Sequence, residues 1–339
     1  MLSFMLSIGN RRYTGSKKAL LEDIYKSIVP YYKKGMVFAD LFAGTGIVSC
    51  FMLKKGMNVI VNDNLHSNYV AYQAWLGNGR FNAKKIEKIM NDFNLIRGKS
   101  LKANYFSNIY GKKYFSIADA KKVGYLREKI AKLKLTEREK NILLSSLMYA
   151  TDKIANTVGH FEHFLSKTPE DKDVILKMPE IEKFLGKAVI YNIDSNELVR
   201  KIKCDIAYID PPYNARQYIN FYHVLENLVT WNKPNEFEGA SMKFKRNHLK
   251  SDYSKSKAPI VFKDLIDNLN AKIIVVSYNN TYSAKSSASN NKISESQMMD
   301  ILSARGNVFI KEIKHKFFNS GKTDFKDHKE FLYICKTKV

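Results

Sequence analysis

The sequence predicts an α/β protein of the Rossmann-like, doubly wound kind, interrupted by a mainly helical insert. Three observations predict it. A strand-like run at 36–41 enters the turn Phe42-Ala43-Gly44-Thr45-Gly46 and then an apolar helix at 47–55, closed by Gly56. A second apolar run, Ile206-Ala207-Tyr208-Ile209, leads straight into Asp210-Pro211-Pro212-Tyr213. Between them, over residues 79–187, strand patterning largely vanishes and Lys and Arg outnumber the acids. The expected organisation is an α/β domain from residues 1–78 and 188–339, split by a helical domain at 79–187.

The elements follow in order. Ser16 can cap a helix expected at 16–29, with Leu20, Ile24 and Ile28 on one face and Pro30 as its stop. Lys17 in that first turn is out of place, because the start of a helix prefers negative charge. An anionic ligand group near the helix start would account for it. After the glycine turn, a strand at 58–61 ends in Asn62-Asp63. An acid some twenty residues beyond such a turn is placed to hold ribose hydroxyls. Ser49 stands where a dinucleotide fingerprint has its third glycine, which lowers the odds of NAD or FAD.

In the insert, Thr136 and Glu139 form a capping box that opens a helix at 137–154, with Leu143, Leu144, Leu147 and Met148 as its buried stripe. Tyr105, Phe106, Tyr114 and Phe115 interleave with Lys112 and Lys113, a mixture that suits a nucleic-acid surface. His160 and His163 lack companion Cys or acid ligands, and no metal site is expected. Strand patterning returns at 188–192, ending near Asp194, and again at 206–209, 271–278, 308–318 and 331–336. Residues 214–218 are expected to open an aromatic-rich helix running towards Trp231, with His223 and Glu226 structural. Residues 243–257 read as a basic flap, and 279–296 as a Ser/Asn-rich loop.

Composition sets the partner class. The formal net charge is +23, and 45% of the 339 residues are hydrophobic. A chain that apolar builds a full core, and a charge that positive favours a polyanion. Cys50, Cys204 and Cys335 are too far apart to pattern as a disulfide or metal framework, which fits a reducing cytoplasmic setting. No stretch is apolar enough to span a membrane, and the short apolar start lacks the features of a signal peptide.

Asp210-Pro211-Pro212-Tyr213 carries the chemistry. Asp210 is an acceptor and Pro211 offers a carbonyl without an N–H. The two prolines stiffen the loop, and Tyr213 presents a ring. Such a loop suits a planar base with an exocyclic amine: two acceptors take the two amine hydrogens while the ring covers the base.

In order along the whole chain, these motifs resemble the Dam-like, or D12, class of N6-adenine DNA methyltransferases. Tyr13-Thr14-Gly15-Ser16-Lys17 is similar to the family's N-terminal cofactor motif, and Asp40 through Gly46 to its glycine motif. Asn62-Asp63 matches its ribose-binding acid, Asp194 its adenine-contacting acid, and Asp210-Pro211-Pro212-Tyr213 its catalytic motif. The extension Asn214-Ala215-Arg216-Gln217-Tyr218 looks more like the modification enzymes of type II restriction systems than like housekeeping Dam.

The resemblance implies an S-adenosylmethionine-dependent methyltransferase fold with the insert as target-recognition domain. It implies S-adenosylmethionine as methyl donor with no metal. The donor would be bound by Tyr13, Lys17, Asp40, Phe42, Gly44, Gly46, Asp63, Asp194 and Asp210. Asp210, Pro211, Pro212 and Tyr213 would be catalytic. The implied reaction is site-specific methylation of a flipped adenine in double-stranded DNA, by a cytoplasmic monomer in a restriction-modification system. A cognate endonuclease would act on the same site without a stable complex. An RNA adenine N6-methyltransferase and an inactive DNA-binding subunit of the same fold are the alternatives.

Overall fold

The computed structural model describes residues 5–281, 289–314 and 329–338. In chain order the regular elements are α1 (Leu21–Ile28), β1 (Val37–Asp40), α2 (Ile47–Lys54), β2 (Asn58–Asn62), α3 (His66–Trp75), α4 (Ala83–Leu95), α5 (Tyr105–Tyr110), α6 (Ile117–Lys132) and α7 (Glu137–Ile154). They continue with β3 (Ala188–Tyr191), α8 (Ser195–Val199), β4 (Ile206–Ile209), α9 (Tyr218–Thr230), β5 (Phe237–Glu238), β6 (Lys243–Phe244), α10 (Ala258–Asn268), β7 (Ile273–Asn279), α11 (Glu295–Ser303), β8 (Gly306–Lys314) and β9 (Lys329–Thr337). Among the described residues no helix is long and apolar enough to cross a membrane.

The chain's contacts divide it into two compact units. The α/β unit comprises residues 17–64, 184–218 and 248–339; the helical unit comprises 1–16, 65–183 and 219–247. These borders differ from the 78/79 and 187/188 borders expected above. The reason is packing: α3, read as part of the first α/β segment, lies against α7, and α9 also belongs with the helices.

The α/β unit holds a seven-stranded sheet in the order β3-β2-β1-β4-β7-β9-β8. The strands β3, β2, β1, β4 and β7 run parallel, and β9 pairs antiparallel with both β7 and β8. This is a Rossmann-like α/β fold. Continuous apolar strands such as Ile206-Ala207-Tyr208-Ile209 suit a sheet covered on both faces, and all four of these residues are buried. The core joins Ala39, Ile60, Ala207, Ile274, Val276 and Tyr333 of the sheet to Phe262 and Leu265 of α10.

The helical unit is built round the long helix α7. Thr136 Oγ1 accepts the Glu139 N–H at 3.2 Å, and the Glu139 carboxylate accepts the Thr136 N–H at 3.0 Å, closing the expected capping box. Glu139 also takes the Asn82 N–H at 3.1 Å and the Lys85 ammonium at 2.6 Å, which ties the start of α4 to the start of α7. Thr136→Ala should therefore lower stability by about 1 kcal/mol, read as a lower urea midpoint with an unchanged slope.

The aromatic residues of the aromatic–basic stretch do not form the expected surface. Phe106, Tyr114 and Phe115 are 0%, 0% and 1% exposed, so they form an aromatic core rather than a surface. Phe106 packs on Phe115 and on Tyr110, and Tyr114 on Phe161. The lysines between them remain accessible because a tight turn lifts Lys112 out, at φ 64°. His223 and Glu226 are structural, as expected. His223 lies between the carbonyls of Asn220 and Ser241, and burial drives its imidazole down to about 4. Glu226 accepts the His66 and Ser67 N–H groups, both at 2.9 Å, and so caps α3.

Other boundaries move for local reasons. The helix expected at 16–29 begins as a 3-10 turn, Lys17–Leu20, before α1. The helix expected to open at 214–218 starts only at Tyr218. Asn214 Oδ1 turns back to the Arg216 N–H, and Gln217 exchanges two hydrogen bonds with the Ser251 backbone. The basic flap is partly neutralised by its neighbours: Lys255 and Lys257 pair with Asp252, and Arg246 pairs with Glu238. Parts of the expected loop at 279–296 and strand at 308–318 lie outside the described residues.

Candidate active site

The chain reverses its winding between β1 and β4: β2 and β3 lie on one side of β1, and β4 on the other. In open α/β sheets the crevice outside the carboxyl ends of two such strands is where ligands bind. Asp40 ends β1, and Asp210 directly follows β4. The fold therefore sets the two motifs singled out from sequence at neighbouring strand ends.

The glycine turn after β1 is held by backbone and side chains together. Gly44 and Gly46 have φ of 54° and 78°, left-handed values that favour glycine. The Ala43 N–H donates to the Asn62 carbonyl at 2.9 Å, and the Gly44 N–H to Asp63 Oδ2 at 2.9 Å. Asn62, fully buried, donates to the carbonyls of Leu41 at 3.2 Å and Ile193 at 3.0 Å. Asn192 donates to the Asp63 carbonyl at 2.7 Å. The Phe42 ring meets Tyr253 edge-on at 5.0 Å. Asp194 Oδ1 caps α8 through the N–H groups of Asn196 and Glu197.

Asp40 is buried beneath this turn. Ser49 donates to its Oδ2 at 2.7 Å, and its Oδ1 has no hydrogen-bond partner among the described residues. Burial pushes its carboxyl up to about 7; the Ser49 hydrogen bond opposes this, and the charges of Asp210 and Asp63 add to it. Ser49, which replaces a fingerprint glycine, thus braces the carboxylate at the base of the turn.

The second motif is a charge cluster. Lys17 Nζ lies 3.0 Å from Asp210 Oδ1 and 3.2 Å from Glu330 Oε1. The Tyr213 hydroxyl lies 2.6 Å from the same Asp210 oxygen and 2.7 Å from the same Glu330 oxygen. Ser277 donates to Glu330 Oε1 at 2.9 Å. The Lys17 ammonium stands 4.9 Å from the Tyr213 ring centre, and the Tyr278 ring 4.5 Å away from it at a 53° tilt. The Tyr278 hydroxyl donates to the Tyr213 carbonyl at 3.1 Å, which fixes the end of the loop.

Burial raises Asp210 above its ordinary range; Lys17 pulls against this, and Glu330 reinforces it. Burial would lower Lys17, but the two carboxylates outweigh it and hold the ammonium charged. Where an anionic ligand group was expected near Lys17, two of the protein's own carboxylates already face it.

Lys17, Asp40, Phe42, Gly44, Gly46, Asp63, Asp194, Asp210, Pro211, Pro212 and Tyr213 all belong to the α/β unit. Tyr13 belongs to the helical unit, where its ring lies flat on Tyr222 at 4.6 Å and the Arg11 guanidinium sits 4.9 Å from its centre. Sequence reasoning missed Glu330. The sequence signal was an acid directly at the head of the apolar run Phe331-Leu332-Tyr333-Ile334; in the structure it is 4% exposed. An acid buried to that degree is held there by partners.

Residues 13–283 match the model of the D12 class N6 adenine-specific DNA methyltransferases. The chain is 37% identical over 333 residues to the modification methylase StsI of Streptococcus sanguinis, covering 91% of this chain and 49% of that one. It is 30% identical over 339 residues to the type II methyltransferase M.NlaIII of Neisseria lactamica, covering 95% of this chain and 98% of that one. With M.FokI of Planomicrobium okeanokoites it is 32% identical over 290 residues, covering 79% and 44%. The chain therefore spans about half the length of the StsI and FokI enzymes and nearly all of the NlaIII enzyme. With that match laid over the strand ends and the Asp210 cluster, the chain belongs to the D12 class of N6 adenine-specific DNA methyltransferases.

Proposed function

We propose that the chain transfers a methyl group from S-adenosylmethionine to N6 of a flipped adenine at a specific site in duplex DNA, as the modification enzyme of a restriction-modification system. The observation that carries this reading is Asp210 at the carboxyl end of β4, with Lys17 and Tyr213 both on Oδ1. That leaves Oδ2 for a hydrogen of an incoming amine. On this reading the chain acts as a cytoplasmic monomer, beside a cognate endonuclease that reads the same site without a stable complex. Its net charge of +23 suits the polyanionic substrate.

The residues at the sheet edge fit the methyl donor. Asp63 offers an acceptor for ribose hydroxyls, Gly44 and Gly46 let a ligand approach the backbone, and Lys17 supplies a cation for a carboxylate. Asp40, Phe42, Asp194 and Asp210 complete the assignment within the α/β unit, and Tyr13 is assigned on sequence resemblance alone. When bound, S-adenosylmethionine supplies an electrophilic methyl group on a sulfonium.

The chain's own contribution is acceptor geometry. The N6 lone pair of adenine is delocalised into the ring, so the amine is a poor nucleophile. Asp210 Oδ2 and the Pro211 carbonyl accept its two hydrogens, which draws the nitrogen towards tetrahedral geometry and localises the lone pair. Pro211 and Pro212 keep that carbonyl in place. No covalent enzyme intermediate is required; positioning and preorganised polar groups do the work. N6 chemistry in a duplex requires the base to leave the stack, at a cost of a few kcal/mol, and Tyr213 supplies a ring to receive it.

Methyl transfer from labelled S-adenosylmethionine to duplex DNA, followed by digestion to nucleosides, tests the reading. Label in N6-methyladenine supports it; label transferred to structured RNA alone, or to neither, sinks it. Tyr213 gives a finer check. Tyr213→Phe keeps the ring and loses the hydroxyl link to both carboxylates; Tyr213→Ala loses both. Transfer rates should fall in the order wild type, Phe, Ala, and equal losses would place the whole role in the hydroxyl.

A further inference from the structure

Glu330 stands at the head of β9. Antiparallel pairing sets it opposite Asn279, where β7 ends, and so brings it to the carboxyl edge of the parallel strands. There its Oε1 meets three donors: the Lys17 ammonium at 3.2 Å, the Tyr213 hydroxyl at 2.7 Å and the Ser277 hydroxyl at 2.9 Å. The Tyr213 hydroxyl also lies 2.6 Å from Asp210 Oδ1. One phenolic hydrogen cannot serve two carboxylates at once. The two acids therefore compete for the Tyr213 hydrogen and for the single positive charge of Lys17.

Glu330 has the better share of that competition. Burial alone would push its carboxyl up, but Lys17 and the hydroxyls of Tyr213 and Ser277 bring it below its ordinary range. The titratable groups acting on Asp210 are Lys17 from the 3-10 turn, Tyr208 on β4, Tyr213 on the loop, Asp40 at the end of β1 and Glu330 on β9. Glu330 is the one that both repels a charged Asp210 and takes its partners.

We propose that Glu330 is a positioning residue of this site: it orients Tyr213 and, by claiming part of Lys17, keeps Asp210 a stronger acceptor for the substrate amine than a carboxylate with a lysine to itself. This rests on the reading of Asp210 as the amine acceptor. A carboxylate fully matched by an ammonium is a weak base. A second, better-satisfied acid beside it restores basicity without moving Asp210 away from its cation.

Carboxyl-carbon NMR titration of the full chain, free of DNA, tests this directly. In Glu330→Gln the Asp210 midpoint should fall by ~1 pH unit, because a like charge has been removed and Lys17 is released to Asp210. The acid limb of the transfer rate should move the same way, towards lower pH. An unmoved Asp210 midpoint, or a rate lowered evenly at every pH, would overturn the proposal and leave Glu330 a packing residue. A second reading needs no variant. In the wild-type chain, the Asp210 and Glu330 signals should each respond to the other's titration, Glu330 ionising first. Independent single steps would overturn the proposal even if the Gln chain did not fold. Because the titration is read without DNA, a chain whose acids couple but which methylates no DNA would sink the functional reading alone.

Discussion

Asp210→Ala is expected to reduce methyl transfer by at least ~10³-fold while the chain stays folded. The loss follows from the geometry. Pro211 can still offer its carbonyl, but one acceptor cannot draw the amine nitrogen out of plane as two do. The fold survives because Lys17 keeps a second carboxylate, Glu330, at 3.2 Å, so no buried ammonium is stranded. Circular dichroism and a thermal melt would establish the fold, and labelled transfer to duplex DNA would read the activity. S-adenosylmethionine should protect the variant against heat less than it protects wild type, since Asp210 is one of the assigned donor contacts while the glycine turn and Asp63 remain. Transfer within a few-fold of wild type would remove Asp210 from the mechanism.

Lys17→Met should have the opposite profile, with stability hit as hard as activity. Lys17 is 8% exposed and sits between two acids. Removing it leaves Asp210 and Glu330 facing each other around one tyrosine hydroxyl. Breaking a buried pair from one side costs about 3–5 kcal/mol, because the remaining charge stays uncompensated. The pH dependence has a definite sign. Asp210 is already raised by burial, and losing Lys17 raises it further, above its unfolded value. The folded state then binds protons more tightly than the unfolded state, so the variant loses stability as pH rises from the unfolded carboxyl range through the raised folded one. Urea midpoints of Lys17→Met should thus lie closer to wild type at pH 5 than at pH 8. A gap that widens towards acid would mean that the two carboxylates are not the source of the loss.

Much of the fold was legible because its signals are local. The capping box at Thr136 and Glu139 is written in four consecutive residues, and α7 starts where that pattern places it. The run Ile206-Ala207-Tyr208-Ile209, read as a buried strand, is one, with all four residues buried. The glycine turn announces itself, since only glycine readily adopts the backbone seen at Gly44 and Gly46. What failed was inference about which face of the chain meets solvent. Phe106, Tyr114 and Phe115 flank the pair Lys112-Lys113 as in a binding surface, yet they pack on one another in the helical unit. Spacing in sequence does not reveal whether an aromatic residue faces water or its neighbours.

The sequence by itself determined which candidate groups the chain carries: an acid, a proline carbonyl and an aromatic ring in four residues, a glycine turn after a strand, and a net charge of +23. Tertiary structure alone decided what surrounds that acid. Lys17 is 193 positions from Asp210 and Glu330 a further 120 beyond, so no local pattern links them. The winding reversal between β1 and β4 sets the glycine turn and the Asp210 loop side by side, and the antiparallel return of β9 brings Glu330 to the same edge. Whether Asp210 is a spent partner of a lysine or a working acceptor depends on that second carboxylate. Charge interactions act through space, and only the folded sheet sets the distances.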